Sequence, residues 1–226
     1  MHKSKAPLRF LILTLATFLS LVSVGHAEQF QVAGKTLSLT PPEGYCLLDR
    51  SRKEDDGLTA LLERSQAGVN QVLLNFALCT ELEDWHAGKI PNLRHFGNVM
   101  VPVENGSTYA LSVPRQSYVA ALAGQVASVD FAAITQEVNR KLEIGQVTDN
   151  QFLGALHQDD SAIYIGILTT LDSGGQKLPQ AGIAALTLLN SVPASLNMQW
   201  PAEEDVLKGL LAAQQKYASA LIQANP

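Results

Sequence analysis

Strict alternation opens the patterned part of the chain. Phe30-Gln31-Val32 and Leu37-Ser38-Leu39 flank Gly34-Lys35, which predicts a β-hairpin. Pro41-Pro42-Glu43-Gly44 breaks that ladder before a short apolar run at 45–48. Leu58, Leu61 and Leu62 then recur at helical spacing, behind a Ser51/Glu54 capping-box pair and ahead of a terminating Gly68. Residues 72–78 predict a largely apolar strand running into Cys79, and 80–97 are polar and irregular. Residues 99–103 predict a short strand. Pro102, which has no N–H for a ladder, places it at a sheet edge.

From Pro114 the period lengthens to that of a helix. Tyr118, Leu122 and Val126 form one stripe and Phe131, Ile134 and Val138 a second. Gly124 and Ser128-Val129-Asp130 divide the two, and Gly145 closes the run. Strand patterns return at 152–156, 162–171, 183–189 and 195–200, joined at Asp159-Asp160, Gly174-Gly175 and Val192-Pro193. Both faces of 162–171 are apolar, which makes that strand central. Pro201 opens a terminal helix with Glu203, Glu204 and Asp205 in its first turn. Its buried stripe is Val206, Leu210, Tyr217 and Leu221. The order predicts a single α+β domain over 28–226. Its sheet is antiparallel-rich and flanked by helices, and the C-terminal helix packs on it.

Composition adds little beyond a globular class, with 46% of the 226 residues hydrophobic and 16% charged. A formal charge of −5 argues against a nucleic-acid binder, which needs a basic stripe to displace phosphate counterions. The first 27 residues change the picture more. Lys3, Lys5 and Arg9 precede an uncharged apolar run at 10–24, and Gly25-His26-Ala27 supplies small residues for cleavage. That run is shorter than the ~20 residues of a spanning helix. The expectation is a signal peptide over 1–27, a mature chain opening at Glu28, and a periplasmic or secreted bacterial protein with no stable membrane insertion after cleavage. Cleavage also removes three basic residues, so the mature chain is more acidic than the precursor.

Export gives Cys46 and Cys79 a context. An even pair in an oxidising compartment is expected to bridge, the alternative being two buried thiols. A bridge needs Cα atoms within about 7 Å. Each cysteine lies near the end of a predicted strand, with a helix at 52–67 between them. The bridge therefore predicts one parallel β-α-β pair in the sheet.

The step from strand through Pro42-Glu43-Gly44-Tyr45 into a helix resembles the Pro-x-Gly-aromatic step near the start of PsbP-like and DcrB-like exported bacterial domains. The early hairpin, later meander and C-terminal helix are similar along most of the mature chain. The resemblance implies helices around an antiparallel sheet, in proteins used mostly as non-catalytic accessory or assembly factors. It carries no catalytic residue and no cofactor.

The search for chemistry centres on Glu81, Glu83, Asp84, Trp85, His86 and His95. A carboxylate beside an imidazole is what general acid–base catalysis or metal binding requires. A solvated loop pinned by Trp85 is the other reading. His157 with Asp159 and Asp160 offers the same choice between a site and a hairpin turn. The acidic triplets Glu54-Asp55-Asp56 and Glu203-Glu204-Asp205 fit helix starts and lack the alternating ligands of a calcium loop. Gly-x-Ser-x-Gly, Ser-x-x-Lys and His-Glu-x-x-His motifs and a phosphate-binding glycine loop do not occur. No metal or cofactor is therefore expected. The leading expectation is a non-catalytic accessory or binding protein for an envelope protein or small ligand, with Asp84, Trp85, His86 and His95 as candidate binding residues. The alternative is a hydrolase or other enzyme using Asp84, His86 and His95.

Overall fold

The computed structural model describes residues 27–126, 136, 146–173 and 175–226. The signal-like run, the Phe131/Ile134/Val138 stripe with Gly145, and Gly174 lie outside the described residues. The hairpin is present as β1 (Glu28–Val32) and β2 (Lys35–Leu39), a two-stranded sheet of its own. Gly44 closes the following turn at φ +82°, with Tyr45 N–H donating to Pro42 O at 3.0 Å. Then come β3 (Tyr45–Leu47), α1 (Lys53–Gln66), β4 (Asn70–Leu78), α2 (Cys79–His86), β5 (Phe96–Glu104) and β6 (Ser107–Thr108). The second half holds α3 (Arg115–Val126), β7 (Gln146–Gln158), β8 (Ile163–Ser173), β9 (Gln176–Leu189), β10 (Val192–Pro201) and α4 (Val206–Ala224).

The main sheet has the order β3-β4-β5-β10-β9-β8-β7, with β6 appended to β5. Every pairing among the described strands is antiparallel. The expected parallel pair is therefore a misreading. Tyr45 faces Leu78 and Leu47 faces Phe76, so β3 runs against β4. A strand of three residues has no length over which to separate two cysteines, so its start and the end of β4 lie level.

Alternation along β8 builds both faces. Tyr164 points into a cluster with Phe76, Ile183, Leu196, Met198, Leu210 and Leu221, while Ile163 and Ile165 point into a second cluster with Val119 and Val126. Helix α4 and the β1–β2 hairpin thus cover one face, and α3 covers the other over β7–β9. Gly97 lets β5 pass beneath Phe76, since a Cβ there would lie 2.6 Å from the ring. Asn225 stitches the chain end to the hairpin, accepting from Ser38 N–H and donating to Ser38 O.

Four local readings also change. β5 lies between β4 and β10 and is not an edge. Its pairing with β10 stops at Met100, and Val103 N–H donates to Val69 beside β4. Pro102 nitrogen therefore faces away from β4, past the last β10 partner, where no donor is needed. Pro201 ends β10 opposite Gln180, so the Glu203–Asp205 triplet precedes α4 and Asp205 caps it at φ +59°. The β9–β10 turn is Asn190-Ser191, both left-handed, and Val192-Pro193 begin the strand. Helix α1 is capped at Arg52 with no side-chain bond, and Ser51 lies one residue before it in a turn, its N–H donating to Asp49 Oδ1.

Leu210 is fully buried at the centre of the α4 interface. Leu210→Ala should cost ~2–5 kcal/mol of unfolding free energy in urea titration, as for other large-to-small core changes. An unchanged midpoint would mean that α4 does not hold the sheet.

Candidate functional site

Helix α2 replaces the irregular loop expected over 80–97. Only Leu82 of its eight residues is buried, so no apolar stripe announced it. Its position is fixed at its first residue. Cys79 is bridged to Cys46 with Cα atoms 4.9 Å apart, and Cys79 N–H donates to Gly44 O. At the other end Ala87, Gly88 and Lys89 N–H groups close on Glu83, Trp85 and Asp84 carbonyls, with Gly88 at φ +68°.

Two carboxylate–imidazole pairs tie α2 to its surroundings. The first joins it to α1. His86 Nε2 lies 2.5 Å from Asp55 Oδ1, and Asp55 Oδ2 accepts Asp49 N–H at 2.8 Å. Asp55 is wholly buried, whereas its neighbours Glu54 and Asp56 are exposed as helix-start acids should be. A buried carboxylate needs such partners to be tolerated at all. The inward face of α1 is accordingly polar, with Asp55, Thr59 and Ser65 buried while Leu58, Leu61 and Leu62 are only half-buried.

The second pair fixes the loop after α2. Glu81 Oε2 accepts the backbone N–H groups of Arg94 and His95, both at 2.9 Å, and Oε1 lies 2.7 Å from His95 Nδ1. Burial pushes the Glu81 carboxyl up, but the His95 backbone and ring and the Arg94 backbone outweigh it and hold it below the ordinary 4.5. The His95 ring packs edge-on against Trp200 at 5.9 Å, and Trp200 Nε1 donates to the Tyr45 hydroxyl at 2.8 Å. His95 and Trp200 also border a cavity of about 330 Å³ whose rim carries Glu203, Glu204 and Asp205.

The expected cluster is therefore divided. Asp84 turns outward to Lys89 at 2.7 Å, an exposed pair, and Trp85 stacks beside His86 with ring centres 5.5 Å apart. Glu81 and His86 project about 140° apart around the helix, so His95 and His86 are held on different sides of α2. Asp55, the partner of His86, was read only as a helix-start charge, and no spacing signals a contact across 31 residues. His157 lies 3.9 Å from Asp159, while Asp159 Oδ1 accepts Ser161 and Ala162 N–H, which makes this a hairpin turn. Among the described residues no group of three or more His, Cys, Asp or Glu side chains could hold a metal. No helix among them is long and apolar enough to cross a membrane.

A larger cavity, of about 670 Å³, opens beside α1 at the β4 edge of the sheet. Phe30, Leu47, Thr59, Val72, Leu74 and Asn75 are among its lining residues. Sequence reasoning did not find it, because its walls come from four separate segments.

Two measurements test these contacts. Thiol titration of denatured, unreduced protein should find no free thiol. Replacing both cysteines by alanine should cost roughly 3.8 kcal/mol by the loop-closure model, and an unchanged urea midpoint would show that β3 holds without the bridge. Ionised Glu81, with its folded value below 4.5, contributes stability at neutral pH that is lost as pH falls below 4.5 and through the folded value. Glu81→Gln should flatten that acid-side loss, and identical pH–stability slopes for variant and parent would contradict the assignment.

No family model, curated protein or solved structure matches the chain, so the geometry of these residues is what bears on function.

Proposed function

We propose that the chain is an exported, non-catalytic accessory or binding protein of the bacterial periplasm or extracellular space, holding an envelope protein or small ligand. The observation that carries this reading is the division of the candidate cluster. His86 clamps α2 to α1 through Asp55, His95 is fixed by Glu81, and Asp84 joins neither. General acid–base chemistry needs its groups converging on one reacting atom, and these are spent on holding elements together. The Cys46–Cys79 bridge accords with an oxidising compartment, and the signal-like 1–27 segment supports export. The Pro42–Tyr45 turn, with hairpin, meander and C-terminal helix in order, supports a PsbP-like or DcrB-like relationship.

One observation favours a second reading. A fully buried carboxylate 2.5 Å from an imidazole is also how a general base is oriented, so an enzyme would use Asp55 and His86 in place of Asp84.

Mature protein from its host should begin at or beside Glu28 by intact mass, and should form a saturable complex in an envelope extract. A panel of ester, amide, phosphate and glycoside substrates should show no turnover that depends on His86. Turnover abolished by His86→Gln would replace the binding reading with the enzymatic one, and the uncleaved 226-residue mass in the envelope would withdraw cleavage.

A further inference from the structure

β3 pairs with β4 only across Phe76–Leu78, and Leu48 N–H adds one bond to Asn75 O before the chain leaves for α1. Beyond that point, Asn70–Leu74 has no strand on its outer side among the described residues. The 670 Å³ cavity lies along this stretch, lined by Gln71, Val72, Leu73 and Leu74. Phe30 and Glu28 of β1, which pairs with β2 and with no other described strand, line it too. The cavity is therefore bordered by the open Asn70–Leu74 edge of β4, whose main-chain donors and acceptors an extended backbone can satisfy on one side.

Two buried side chains point the same way. Thr59 and Asn75 line the cavity and are 5% and 8% exposed, and neither Thr59 Oγ1 nor Asn75 Oδ1 has a hydrogen-bond partner. Orphaned buried polar atoms are rare in folded proteins and call for an explanation at each site. Asn75 sits beside Asn98 in the ladder, and Asn98 accepts from Asn197 Nδ2 at 2.8 Å, so a polar row crosses the sheet and ends at the cavity.

Charge selects the occupant. Glu28, Asp49 and Glu63 stand in the lining with two cations: Arg50, which Glu63 binds at two points and Asp56 at a third, and the α-ammonium of a mature chain that opens at Glu28. The lining keeps a net negative charge. A second copy of this acidic chain would bring like charge against that rim. We propose that the cavity receives an extended segment of a partner protein, with alternating apolar residues and a flanking lysine or arginine, which adds as a strand to β4 at Asn70–Leu74. This rests on the binding reading above and names the chemistry of the partner.

The test uses synthetic heptapeptides of alternating valine and threonine, capped at both ends, with lysines or glutamates as flanking residues. Titration of the mature protein should show the lysine-flanked peptide binding and slowing hydrogen exchange at 70–74. The glutamate-flanked peptide should bind more weakly, and Glu28→Lys, at an exposed position, should narrow that difference. Strands present alternate N–H groups to each side. N-methylation of one alternate set should therefore weaken binding by about tenfold or more, as unmade buried hydrogen bonds do, and methylation of the other set should leave it unchanged. Equal effects of the two sets, equal affinity for both flanks, protection outside 70–74, or no binding by any peptide would overturn the proposal. In those cases a saturable envelope complex with its footprint elsewhere leaves the binding reading standing, whereas His86-dependent turnover removes that reading as well.

Discussion

Three residues of strand are too few to hold the edge of a sheet, and the Cys46–Cys79 bridge supplies what β3 lacks. Much of this end of the molecule follows from that short, covalently pinned strand. Because β3 starts level with the end of β4, Cys79 meets Gly44 and Cys46 together, and α2 must begin there. Because β3 stops at Leu47, the rest of β4 has a side that no described strand pairs. One constraint thus places the helix that carries both carboxylate–imidazole pairs and opens the 670 Å³ cavity beside β4.

The two pairs show how polar contacts position α2 where apolar packing is thin. With Leu82 as its only buried residue, α2 gains little from the hydrophobic effect, and α1 turns a polar face inward. Buried polar pairs fix an arrangement more readily than they add net stability, because desolvation offsets most of the attraction. Asp55 bound to His86 and the Asp49 N–H is therefore a device for location. Glu81 does the same for the loop at Arg94–His95, and through His95 and Trp200 it reaches Tyr45, next to the disulfide.

What could be read in advance was what local pattern dictates. The hairpin, the β7–β10 meander, the two-faced burial of β8 and the α4 stripe all follow from periodicity. Errors arose where a local rule depends on a neighbour. Pro102 excludes a donor on one side only, and which side matters is decided by where β10 ends. The bridge followed from compartment, but direction of pairing depended on the length of β3, which four apolar residues at 45–48 do not set. Glu81, Trp85, His86 and His95 read as one cluster, which the structure divides; Glu81, the partner of His95, was within it, and Asp55, the partner of His86, was not. Asp55 lies 31 residues from His86, and its burial distinguishes it from Glu54 and Asp56 only after α1 and α2 have packed.

The two edges of the main sheet are defended differently, and the difference bears on binding. Edge strands are normally blunted by bulges, charge or cover, because an exposed ladder recruits other strands without discrimination. β7 is interrupted by three register shifts against β8 and by left-handed Asp149 and Gly154, which breaks any regular outer ladder. At the other edge, β4 has one shift, between Val72 and Leu74, and relies on walls: α1 with the 48–50 loop on one side and β1 on the other. Walls exclude a passing sheet yet admit a single extended chain. The rim, net acidic even with Arg50 held on Glu63, then opposes acidic chains, this one included. An edge protected in this way is selective, where the bulged one is simply closed.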